Sequence, residues 1–140
     1  MATTVLPTIA AELPREVAIR FVCGMPGLEP YARYTLVGIE GVPVYWLRCD
    51  DAPGIRLPVA EAFAIEPSYS FTLSTADVAA LGLARAEDAL VLVVLTVRRG
   101  GAITANLFAP IVINRQTWQA KQIILDGTSY SLRHPVEGFA

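Results

Sequence analysis

The stretch Ala89-Leu90-Val91-Leu92-Val93-Val94-Leu95-Thr96-Val97 decides the fold. A membrane-spanning helix needs about 20 apolar residues in a row, and this run is far too short. It therefore reads as a buried strand or core segment. Its residues do not alternate in polarity, so both faces are apolar, as expected of a central strand covered on both sides. Downstream, Arg98-Arg99-Gly100-Gly101 reads as a solvated hairpin tip leading into a strand over 103–107. Further strands are expected over 109–114 (APIVIN) and 121–126 (KQIILD), with Asp126-Gly127 as a hairpin signal. Upstream, Ser74 or Thr75 can cap a short helix over 75–81, with Asp77 favoured in its first turn and Gly82 ending it in the left-handed conformation. Nearer the N-terminus the pattern is again strand-like, over 17–22, 31–39, Val44–Cys49, 55–59 and 62–65. Turns at Gly24-Met25-Pro26-Gly27, Gly41-Val42-Pro43 and Asp50-Asp51-Ala52-Pro53-Gly54 separate these strands, and Pro58 places the 55–59 strand at an edge. The expectation is an all-β, mainly antiparallel, compact single domain, a barrel or sandwich with one short helix. Residues 17–140 form its body, and 1–16 an N-terminal arm or first strand.

Composition narrows the function classes. With 54% hydrophobic residues and 17% charged, against about 25% charged in typical domains, intrinsic disorder is excluded. The excess of apolar surface fits a full core or a surface meant for a partner. A net charge of −2 and the absence of a basic stripe argue against direct nucleic-acid binding. The first basic residue is Arg15, and Pro7 and Pro14 precede it, so residues 1–16 do not read as a signal peptide and a cytoplasmic location is expected, with no membrane partner. Cys23 and Cys49 read as small buried hydrophobes.

Catalytic chemistry is hard to assemble from these residues. His134, the single histidine, precedes Pro135 and reads as structural rather than as a general base. No G-x-S-x-G turn occurs, and one histidine with two distant cysteines supplies no metal-ligand spacing. Asp50 and Asp51 are neighbours in extended chain and point to opposite faces, so they read as an exposed acidic turn. Gly100-Gly101 lacks the lysine and following helix of a phosphate loop. No enzyme, cofactor or metal is expected.

The C-terminal half carries a succession of motifs: Thr104-Ala105-Asn106-Leu107, Ala109-Pro110-Ile111-Val112-Ile113-Asn114, Lys121-Gln122 and Tyr130-Ser131-Leu132-Arg133-His134-Pro135. With Phe21, Gly24, Pro26-Gly27-Leu28-Glu29 and Tyr45-Trp46-Leu47 in the N-terminal half, it resembles the flagellar assembly factor FliW family over about residues 17 to 136. The resemblance implies a non-enzymatic cytoplasmic protein with a β-barrel-like fold. It would bind newly made flagellin before export and antagonise the translational regulator CsrA by partner exchange. Departures fall at Arg48-Cys49 and Val136, and the modest net charge favours the flagellin role over the CsrA role.

Candidate partner contacts are Tyr45, Trp46, Asn106, Leu107, Phe108 and Arg133, with an apolar groove or edge beside the 104–107 strand as the docking place. Each has a structural alternative: the aromatics and Leu107 as core, Asn106 (like Asn114) as holder of a turn or bulge, Arg133 as partner of a buried carboxylate. Glu29, Asp50, Asp51, Glu61 and Glu66 are the acidic residues that could face basic CsrA. The alternative to partner binding is a small barrel that carries an apolar small ligand.

Overall fold

The computed structural model describes residues 3–5 and 15–137. In chain order its elements are β1 (Thr3–Val5), β2 (Glu16–Phe21), β3 (Arg33–Gly38), β4 (Val44–Cys49), β5 (Arg56–Glu61), α1 (Ala62–Ile65), β6 (Phe71–Leu73) and α2 (Thr75–Leu81). A 3-10 turn over Ala86–Asp88 then leads into β7 (Ala89–Val97), β8 (Ile103–Ala105), β9 (Ile111–Asn114), β10 (Gln119–Gln122) and β11 (His134–Val136).

Seven of these strands close into a ring, in the order β7-β5-β4-β3-β2-β10-β9 and back to β7. All neighbours are antiparallel except β10 and β2, which pair in parallel. Following the register once round from Arg20 returns level with Pro30, so the strands are sheared and tilt steeply across the ring. Alternate residues fill the interior, among them Ile19, Tyr34, Leu36, Leu47, Leu92, Ile111 and Ile113. Burial pushes the Tyr34 hydroxyl up to about 12.

A second core lies against the outside of β7, where Ala89, Val91, Val93 and Leu95 pack with Tyr69, Phe71, Leu73, Leu81 and Leu107. The two cores explain the unbroken apolar run: Leu90 and Leu92 face the ring interior, and the intervening residues face the second core. Burying each such side chain is worth about 1.5–3 kcal/mol, which concentrates stabilisation on this strand. The all-β, mainly antiparallel barrel follows the expectation.

Helix α2 begins and ends as its residues dictate. The Ser74 hydroxyl accepts from the Asp77 amide at 3.1 Å, and Gly82 is left-handed (φ 63). Lys121 Nζ, 2.6 Å from Asp77 Oδ1, ties the helix to β10.

Several local expectations are corrected. Residues 62–65 form one helical turn, not a strand: the Glu66 amide donates to the Ala62 carbonyl at 2.9 Å, and Pro67 blocks continuation. A four-residue apolar run carries no period that separates the two. Strand β5 is not an edge, since it lies between β4 and β7. Its ladder to β7 covers only Val59, Ala60 and Glu61, so the missing N–H of Pro58 falls where β7 has already diverged. The 121–126 strand ends at Gln122, and Asp126-Gly127 makes a turn (Gly127 φ 82) but no hairpin, because the next strand, β11, pairs with β8. Cys49 is buried in the ring, whereas Cys23 is exposed. Of the 1–16 stretch, Thr3–Val5 pairs with β6 and Glu16 opens β2, while 6–14 lie outside the described residues.

Candidate functional site

Strands β8 and β9 are one arm along the same edge of β7, interrupted by a bulge. Leu95 faces Ala105 and Leu92 faces Ile111, so three steps on β7 are matched by six on the arm. Asn106 holds the extra loop. Its side-chain oxygen accepts from the amides of Phe108 and Ala109, both at 3.1 Å, while its own amide donates to the Val94 carbonyl at 2.9 Å. Leu107, 1% exposed, projects from the bulge into the second core, and its carbonyl accepts from the Tyr69 hydroxyl at 2.6 Å. Asn114 does a similar task at the other end of the arm. Its Nδ2 donates to the Leu81 carbonyl at 2.8 Å, and its Oδ1 accepts from the Gln116 amide at 2.8 Å. The turn it supports ends in Trp118, the one described non-glycine residue with positive φ (61), whose amide donates to the Asn114 carbonyl at 2.7 Å.

The bulge lets β8 and β11 leave the ring as a flange. On the outer face of the sheet, between the flange and β4, this leaves an apolar groove of about 220 Å³. Val44, Trp46 and Pro58 form one side and Leu95, Val97 and Ile103 the other, with Ile39 and Val42 at one end. Val97 is 65% exposed and Val42 41%. The Arg56 guanidinium lies over the Trp46 ring, 4.9 Å from its centroid.

Of the sequence-predicted contacts, Trp46 lines this groove and Tyr45, its neighbour, packs half-buried against the ring core. Phe108 is half-buried and Arg133 exposed. Asn106, Leu107 and Phe108 lie in the bulge that follows groove residue Ile103, and Arg133 precedes the β11 strand paired with β8. Groove residues Pro58, Leu95, Val97 and Ile103 were missed. The signal that points to them is Pro58, which has no amide to donate and sits just past the end of the β5–β7 ladder.

The acidic residues divide between the two ends of β5. Asp50 and Asp51 lie before it, with Glu29 in the loop entering β3; Glu61 and Glu66 lie at and beyond its other end. Asp51 pairs with Arg33 at 2.5 Å, and Asp50 accepts from the Thr35 hydroxyl at 2.7 Å. The Glu29 and Glu66 carboxyls are held below the usual range by hydrogen bonds, from the Gly27 amide and from Ser68 respectively.

Glu61 is shifted the other way: partial burial raises its pKa, opposed by Arg115 and the Tyr45 hydroxyl. A carboxyl raised in the folded state favours its neutral form there, so its stabilising contribution is present below the ordinary value of 4.5 and is lost as pH rises through the folded value. Glu61→Gln is therefore expected to raise the melting temperature at neutral pH and to match the wild type well below pH 4.5. Melts at the two pH values check this, and a variant less stable at neutral pH refutes it.

Among the described residues, no group of three or more His, Cys, Asp or Glu side chains could hold a metal, and no helix is long and apolar enough to cross a membrane. The family model described as FliW protein matches residues 3–136. The flagellar assembly factor FliW of Pseudothermotoga lettingae is 36% identical over 116 residues, 81% of this chain and 74% of that protein. Its counterpart from Syntrophomonas wolfei is 35% identical, covering 89% and 81%. A crystal structure of the flagellar assembly factor FliW superposes with a TM-score of 0.77 at 32% identity, over 84% of each chain. The chain belongs to the FliW family of flagellar assembly factors.

Proposed function

We propose that this protein is a non-enzymatic cytoplasmic binding partner of flagellin, which it holds before export, and that it takes up CsrA when flagellin has left. The observation that carries the flagellin reading is the groove. Trp46, Leu95, Val97 and Ile103 leave an apolar concavity open on the outer face of a ring that is itself filled. Such a concavity suits the apolar ridge of an amphipathic helix, the form that the family resemblance gives to the flagellin ends. No chemical step is required, because partner exchange follows from mass action.

Support for CsrA is thinner. It rests on the family resemblance and on the acidic group of Glu29, Asp50 and Asp51, of which Asp51 is already paired with Arg33. The alternative, a barrel carrying a small apolar ligand, finds no support in the ring interior, which side chains occupy.

The test is retention of the host's flagellin by the purified protein, alone and in competition with CsrA. The wild type is expected to retain flagellin. Val97→Glu, at an exposed position, is expected to keep the melting temperature and weaken binding by about tenfold or more, since it places an unpaired charge in the contact. No retention by the wild type under any condition overturns the reading. Undiminished binding by Val97→Glu removes the groove as its site.

A further inference from the structure

We infer that the occupant of the groove is an amphipathic segment with carboxylates along one flank, read by Arg48 and Arg56; this rests on the groove being a docking site. Arg48 and Arg56 stand directly opposite each other across β4 and β5, on the same outer face as Trp46 and Pro58. Like charges in that arrangement disfavour the sheet. The fold does little to offset them. Among the described residues Arg48, itself half-buried, reaches only the largely exposed Glu16, at 3.7 Å. Arg56 has no carboxylate within ion-pair distance among the described residues and lies over the Trp46 ring, 4.9 Å from its centroid.

Trp46 thus presents an apolar edge to the groove while holding a guanidinium at its rim. A planar guanidinium held in this way is suited to a forked, bidentate contact with a carboxylate. The opposite end of the groove adjoins the β3–β4 turn with exposed Glu40, so the occupant's carboxylates lie toward Arg48 and Arg56 and away from that turn, while exposed Arg99 follows Val97 on the facing hairpin. An apolar ridge seated between Trp46 and Val97 with glutamates or aspartates beside it satisfies both features. A lysine-flanked ridge of the same shape meets repulsion from Arg56 and from Arg48, which Glu16 offsets only in part.

The test uses three labelled synthetic helices with one leucine ridge and glutamate, glutamine or lysine flanks, titrated by fluorescence anisotropy against the full chain. The glutamate peptide is expected to bind about five- to tenfold tighter than the glutamine peptide and to lose that margin as salt is raised. Arg56→Glu should abolish the preference, and should favour the lysine peptide instead. Equal binding of the three peptides, binding of none, or an Arg56→Glu variant with the wild-type preference overturns the inference. Flagellin retention by the wild type in any of those cases leaves the flagellin reading standing. Conversely, glutamate-selective binding reversed by Arg56→Glu supports the inference even where flagellin is not retained.

Discussion

Tyr69→Ala is expected to destabilise the protein by about 3–5 kcal/mol, a large fraction of the total stability of a domain. The side chain is completely buried, and its ring meets those of Tyr130 at 4.6 Å, Phe71 at 5.5 Å and Phe63 at 6.0 Å. Truncation opens a cavity among these rings and also orphans the Leu107 carbonyl, which receives the Tyr69 hydroxyl at 2.6 Å. Tyr69→Phe isolates the second effect and should cost about 1–3 kcal/mol, the penalty of an unsatisfied buried acceptor. Because that carbonyl belongs to the bulge that directs the flange, the phenylalanine variant should also increase amide exchange in β8. Urea denaturation of the two variants gives the comparison. An alanine variant no less stable than the phenylalanine one would show that the ring cluster contributes little.

Gly24→Ala is expected to cost about 1–3 kcal/mol, as overpacking does when the neighbour cannot retreat. An added Cβ would sit 2.5 Å from the Glu29 carbonyl oxygen and 2.6 Å from its Cα, contacts with backbone rather than with a movable side-chain end. The segment that must shift carries Met25, which caps the ring interior at 2% exposure, and the Met25–Leu28 backbone hydrogen bond of 2.8 Å. Gly54→Ala, where a Cβ meets nothing within 4 Å, is the control and should leave stability unchanged. Equal stability of Gly24→Ala and the control would refute the close-approach argument.

What could be read in advance was local. The two-sided burial of Ala89–Val97, the strand Val44–Cys49, and the helix capped by Ser74 and ended by Gly82 all follow from patterns within a few residues. What could not be read depends on register between distant segments. Alternation in β2 shows that one face is buried, but nothing in it names β10 as a parallel neighbour. The TANL motif drew attention to Asn106 for good reason, yet its effect, a bulge fixed by two amides, appears only once β8 and β9 are aligned against one strand. Trp46 was singled out as an aromatic, whereas Pro58, Leu95, Val97 and Ile103 become groove residues through the parting of β5 from β7. Likewise, Arg48 and Arg56 are unremarkable until the β4–β5 ladder sets them face to face.

The parallel pairing of β2 with β10 has a consequence for how the chain folds. The meander β2–β5 is made of neighbours in sequence and can assemble as it leaves the ribosome, but the ring cannot shut until β10, close to the C-terminal end of the described chain, has been synthesised. This seam is also short, with Gln119 facing Arg20 and Ala120 facing Phe21, so it is the natural place for the ring to open. It lies across the ring from β4, β5 and β7, which carry the groove. Breathing at the seam therefore need not disturb the proposed docking face, and the groove can keep its shape while the closure of the ring fluctuates.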